Sequence, residues 1–191
     1  MTSPEPQSIV DALRSDHRAI AEQLDAAASE TDPREAAVAR EQLVMMLVRH
    51  FVAEEQYLYP TVREILAGGG ALARSGLDAD RHCEGQLKQL EDDHLGPLQV
   101  AGTLEAVREG FAAHVVRQDG QLDALARTAS PHTLAELGAG VLGAEQLAPT
   151  RPRSVVPSSV PANKVVSLVE GFIDQVRDHY SHRGVDPDDE D

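Results

Sequence analysis

The sequence predicts an all-α fold, an antiparallel up-down-up-down four-helix bundle, on three observations. Apolar residues recur at alternating steps of three and four through several long stretches. Breaks rich in proline and glycine separate those stretches. Each of four stretches also sets a polar, ligand-capable side chain inside its apolar seam, which a bundle with short loops would bring towards one centre.

The first helix is expected from about Ser8 to Ala28, with Leu13, His17, Ile20 and Leu24 on one stripe. Asp32 and Pro33 read as an N-cap and a proline at the first helical position, where the missing N–H is harmless. The second helix then carries Leu43, Leu47, His50, Glu54 and Leu58 on one face, and Pro60 is expected to kink or end it. The glycine run 68–70 marks a turn. A third helix is expected from about Asp78 to Leu95, with His82, Gln86 and Leu90 four apart, broken by Gly96, Pro97 and Gly102. The fourth runs from about Thr103 to Thr128 with the stripe Val107, Phe111, His114, Gln118, Leu122 and Leu125.

Residues 1–7 read as a flexible N-terminus and 8–148 as the bundle with a short following helix opened by Ser130 and Pro131. A proline- and serine-rich linker is expected over 149–163, an amphipathic helix over 164–182 and a solvated acidic tail over 183–191. At 191 residues the chain is long enough for one domain with a sizeable core. Its 17 basic and 32 acidic side chains give a formal net charge of -15, which opposes non-specific binding to nucleic acid or anionic lipid. The single cysteine, Cys83, excludes an intrachain disulfide and a cysteine-rich zinc site. The opening residues lack a charged-then-apolar signal pattern and no apolar run approaches ~18 residues, so a cytoplasmic chain without a membrane span is expected.

The chemistry lies in two helical pairs of histidine and carboxylate, His50 with Glu54 and His114 with Asp119. Residues four apart share a helix face, so His50 and Glu54 can bind one ion, or Glu54 can bridge two. Five residues turn Asp119 about 140° from His114, poor for chelating one ion but compatible with leaning across the seam. With His17 and His82, the helices offer four histidines and two carboxylates, a sulfur-free donor set that suits iron, zinc or manganese, and two ions better than one. A charged Glu54 in an apolar seam needs such a partner, because an unpaired buried carboxylate costs several kcal/mol. His94, His132, His179 and His182 read as surface residues, and Cys83 as packing.

The order His17, then HFVAE over 50–54, then His82, then HVVRQD over 114–119, resembles the hemerythrin-like (HHE cation-binding) family in the form that carries a C-terminal extension. EEQYLYP after the second histidine and LAPTRP after the bundle are similar to family members as well. The resemblance covers roughly residues 8–152 and implies a bundle holding two bridged non-haem iron ions. It implies His17, His50, His82 and His114 as terminal ligands and Glu54 and Asp119 as bridges. The chain departs from the pattern at Gln86, where oxygen carriers have a histidine, and at Gln118, where many bacterial relatives have glutamate. One ion then lacks a protein ligand, which water or Tyr59 could replace; Gln86 and Gln118 are expected as packed amides or donors around the ligands.

The function expected from this resemblance is binding of, or reaction with, O2, peroxide or nitric oxide, in redox sensing or a response to oxidative or nitrosative stress. If the chain is an enzyme, peroxide disproportionation is the expected activity. The rival readings are an iron or zinc sensor that signals through the C-terminal helix to a protein partner or a second copy, and a metal-free helical scaffold.

Overall fold

The computed structural model describes residues 7–92, 94–148 and 151, and every regular element among them is helical. They fall in the first of two compact units, 1–153 and 154–191. The expected amphipathic helix and acidic tail, all of the linker but residue 151, and residues 1–6 lie outside the described residues. No described helix is long and apolar enough to cross a membrane.

Helix α1 (Ile9–Ser29) starts at Ser8, whose side chain accepts from the Asp11 N–H. Helix α2 (Pro33–Ala53) is capped as expected by Asp32, which accepts from the N–H groups of Arg34 and Glu35 at 2.9 and 3.0 Å. Pro60 does not end this second helical segment. The chain passes through one π-helical stretch (Glu54–Leu58) into α3 (Tyr59–Ile65), with Pro60 in its first turn. The Tyr59 N–H reaches back five residues to the Glu54 carbonyl. Proline has no N–H to offer and its ring crowds the preceding turn, so a wider turn lets the helix run on past it.

Helix α4 (Gly69–Leu90) begins and ends earlier than expected. Only Gly68, at φ 71°, makes the turn; Gly69 and Gly70 are already helical. Helix α5 (Pro97–Thr128) likewise starts six residues before the expected Thr103. Pro97 opens α5 as a first-turn proline, and Gly102 is absorbed within it. Helix α6 (Pro131–Leu147) is the short following helix, capped by Ser130. It packs on α1 and α2, while α5 packs on α1 and α4.

The core is divided. One apolar cluster gathers Ile9, Leu13, Leu58, Val62, Ala73, Leu122, Leu125, Leu137 and Val141. The other gathers Ile20, Leu24, Leu43, Leu47, Phe51, Leu87, Val107 and Phe111. Helix α1 leads from the first cluster to the second, and α5 leads back. Between the two clusters fall His17 on α1, Asp80 on α4, and His114 and Gln118 on α5, with His50 and Glu54 at the corresponding level where α2 gives way to the π turn.

Candidate metal centre

Each side chain in this layer arrives by the helical period. His17 follows Leu13 by four and precedes Ile20 by three, so it points inward with them. His50 and Glu54 share a face across the junction of α2 and the π turn, and His114 and Gln118 share one on α5. All five are buried, Glu54 completely at 0% exposure.

One ligand atom from each of His17, His50, Glu54 and His114 can be chosen so that all four lie within 4.8 Å of one another. Glu54 Oε1 is 2.7 Å from His50 Nε2 and 3.2 Å from His114 Nε2. The two histidine Nε2 atoms are 3.4 Å apart. Their other ring nitrogens face carboxylates, His50 Nδ1 at 3.5 Å from Asp16 Oδ2 and His114 Nδ1 at 3.1 Å from Asp80 Oδ1. A carboxylate accepting from Nδ1–H fixes the tautomer that leaves Nε2 free to ligate. Phe111 stacks on the His114 ring at 5.7 Å and closes that side with apolar surface.

The electrostatics follow from this crowding. Burial opposes a charge on Glu54, but His50 and His114 outweigh it and hold the carboxyl well below its usual range. Burial likewise opposes protonation of His50 and His114, yet Glu54, with Asp16 or Asp80, raises them to about 10 and about 9. His17 is pushed down to about 4 by burial and then by the charge on His50. Burial and the two neighbouring carboxylates drive the Tyr59 phenol far above its ordinary value, so it is held as O–H.

A metal ion fits this donor set. Neither ring nitrogen of His17 makes a hydrogen bond of acceptable geometry although both are buried. An unpaired buried polar atom costs about 1–3 kcal/mol. A cation among the four side chains would engage His17, and would replace the protons that now separate His50 and His114.

The structure brings together His17, His50, Glu54 and His114 of the six expected ligands. It does not bring in His82 or Asp119. His82 is exposed on α4, because the inward stripe there is Ala73, Gly76, Asp80, Cys83, Leu87 and Leu90. Two residues from Asp80, His82 is turned about 200° away. Asp119 turns outward from α5 with 49% of its side chain exposed and accepts from Arg14 Nε at 3.2 Å. Gln118 takes the inward place and donates through Nε2 to Glu54 Oε1. Gln86 is half-buried, with its Oε1 unpaired. Tyr59 is buried at the edge of the group, its hydroxyl 3.1 Å from Glu54 Oε2 and 2.5 Å from Asp80 Oδ2.

Two participants escaped the sequence reading. Asp80 carried a signal, since the unbroken three-four alternation on α4 passes through 80 and not 82. Asp16 carried none, because α6 covers that flank with Glu145. Asp16, Glu145 and His50 Nδ1 also lie within 4.8 Å of one another, at a cavity of about 270 Å³ lined by Arg49. Burial and then Asp16 raise Glu145 to about 8, so the two carboxyls share a proton, and Arg49 already supplies a positive charge beside them.

No curated protein and no solved structure matches the chain. The sequence model of the hemerythrin HHE cation binding domain does match, over residues 8–136, a span that holds the whole buried group. A buried layer of histidine and glutamate and a match across most of the chain agree: this chain belongs to the hemerythrin HHE cation-binding family.

Proposed function

We propose that this chain is a non-haem iron protein that binds or reacts with O2, peroxide or nitric oxide, in redox sensing or a response to oxidative or nitrosative stress. The observation that carries this reading is the convergence of His17, His50, Glu54 and His114, with His17 unpaired, inside the family's domain. Three imidazoles and one carboxylate favour iron over calcium or magnesium, and leave coordination positions open on an ion that takes six ligands. Bound there, iron would supply Lewis-acid and one-electron chemistry.

The chain's own residues set what can enter. Every converging side chain is buried, and apolar clusters lie on both sides of the layer, which favours a ligand of a few atoms. Asp16 and Asp80 hold the two imidazoles with Nε2 inward, Gln118 donates to Glu54 Oε1, and the Tyr59 hydroxyl, which donates to Asp80, lies 3.1 Å from Glu54 Oε2.

The test is metal content of untagged protein purified in air, read with its optical spectrum before and after reduction and exposure to peroxide, O2 and nitric oxide. Bound iron with a spectrum that responds to one of these ligands is the expected result. Protein that holds only zinc, or that stays metal-free when ferrous iron is supplied, would remove the redox reading.

A further inference from the structure

We infer that this centre takes a single metal ion, that Tyr59 and Asp80 occupy the half of the layer where a second ion would sit, and that Gln118 sets an amide where a further carboxylate would be needed. The inference rests on the metal-binding reading above and departs from the two bridged ions that the resemblance implies.

Four of the six expected ligands converge, and they converge on one region, around Glu54 Oε1. A second ion bridged by the same carboxylate would need Glu54 Oε2, and that oxygen already faces the Tyr59 hydroxyl at 3.1 Å. The phenol is seated deliberately. A Cβ on Gly76 would lie 2.4 Å from Tyr59 Cε1 and 2.8 Å from its Oη, so α4 has glycine where the ring passes. Among the described residues, the side chains that hydrogen-bond with that hydroxyl are carboxylates, Glu54 and Asp80. Asp80 Oδ2 accepts from Tyr59 at 2.5 Å and Asp80 Oδ1 faces His114 Nδ1 at 3.1 Å, so both of its oxygens are engaged. Asp80 thereby does for His114 what Asp16 does for His50, and serves as an outer support of a ligand. Gln118 offers an amide where a carboxylate would ligate, and its Nε2 is given to Glu54.

Charge points the same way. One divalent ion with Glu54 and three neutral imidazoles leaves a single positive charge, which Asp80 can offset. A second cation would add at least two more charges to a buried layer that offers it no further carboxylate beyond Asp80 among the described residues of this group.

The experiment uses the full chain, stripped with a chelator and titrated anaerobically with ferrous iron. Bound ions are counted by native mass spectrometry, and the oxidised form is read by electron paramagnetic resonance. One ion per chain with a half-integer-spin ferric signal is expected. Two ions per chain would overturn the inference and leave the metal reading standing; no ion at all would remove the metal reading itself. The double variant Asp80→His with Gln118→Glu restores a nitrogen and a carboxylate, and its count is expected to rise to two with loss of the signal by spin coupling. A helical double variant that still holds one ion would overturn the assignment of those positions. The wild-type count decides the main claim even if the double variant does not fold.

Discussion

Replacing Glu54 with glutamine keeps the shape of the side chain and removes the carboxylate that, among the described residues, pairs with both His50 and His114. In the metal-free protein at pH 7 the two imidazoles, raised to about 10 and about 9, would then face each other as cations with Nε2 atoms 3.4 Å apart. Their relief is to lose protons, which forfeits the stabilisation stored in the raised values. At pH 7, returning His50 alone from about 10 to its ordinary 6.5 is worth roughly 4 kcal/mol, because only the interval above pH 7 counts at about 1.4 kcal/mol per unit. Breaking a buried pair by removing one partner costs about 3–5 kcal/mol, which agrees. For a domain of this size that corresponds to a fall of roughly 8–16 °C in Tm. The assay is thermal unfolding by circular dichroism in excess chelator, at pH 7 and again above pH 10. The loss should be large at pH 7 and shrink sharply at the higher pH, where the histidines of the wild type are already neutral. A fall of less than about 3 °C at pH 7, or an equal fall at both pH values, would refute the assignment of Glu54 as the counter-charge.

Three other outcomes follow from the same layer. His17→Leu should leave the chelated protein as stable or more stable, because it removes two unpaired buried nitrogens, while metal affinity falls at least about tenfold; calorimetric titration beside thermal unfolding separates the two effects. The raised His50 and His114 stabilise the metal-free fold fully below about pH 6.5 and cease to as pH climbs through 9–10, whereas the depressed Glu54 and His17 favour folding above their ordinary values. Stability of the chelated protein should therefore peak near pH 6.5 and fall steadily from there to about pH 10, and metal binding at pH 7 should release about two protons per ion, measurable by calorimetry in buffers of different ionisation enthalpy. Asp16→Asn should weaken metal binding by roughly 10–100-fold, whereas His82→Ala and Asp119→Asn should leave it within about twofold; a large loss in either of the latter would return those residues to the ligand set.

The fold class, the caps of α2 and α6 and four members of the buried group were legible in the sequence, and each for a local reason. Asp32–Pro33 and Ser130–Pro131 act within one turn, and His17, His50 and His114 sit on three-four stripes that leave little freedom of aspect. The illegible parts depend on breaks that only packing resolves. The glycine run and the Gly96–Pro97 pair each read as an interruption, yet each starts a helix, so α4 and α5 were entered late. On α4 that shortened window hid the stripe through Ala73 and Gly76, and left His82 as the conspicuous polar residue in place of Asp80. On α5 the spacing from His114 already argued against Asp119, and the resemblance outweighed the geometry. Asp16 faces a helix outside the expected bundle core, and no periodicity on α1 could announce it.

The divided core has a mechanical consequence. Each apolar cluster is a cohesive block, and in the polar belt between them α1, α2 with its π turn and α5 are joined by imidazoles and a carboxylate instead of interlocked aliphatic chains. Such a belt opens at a lower free energy than the blocks on either side of it. In the metal-free chain it is a seam, and an ion held by α1, by α2 and its π turn, and by α5 would act as a rivet across that seam. Under the proposed function, brief parting of the belt would admit a small ligand without a permanent channel while both blocks stay shut. Hydrogen exchange of the amides around His17, His50 and His114 would be the gauge of how firmly the rivet is set.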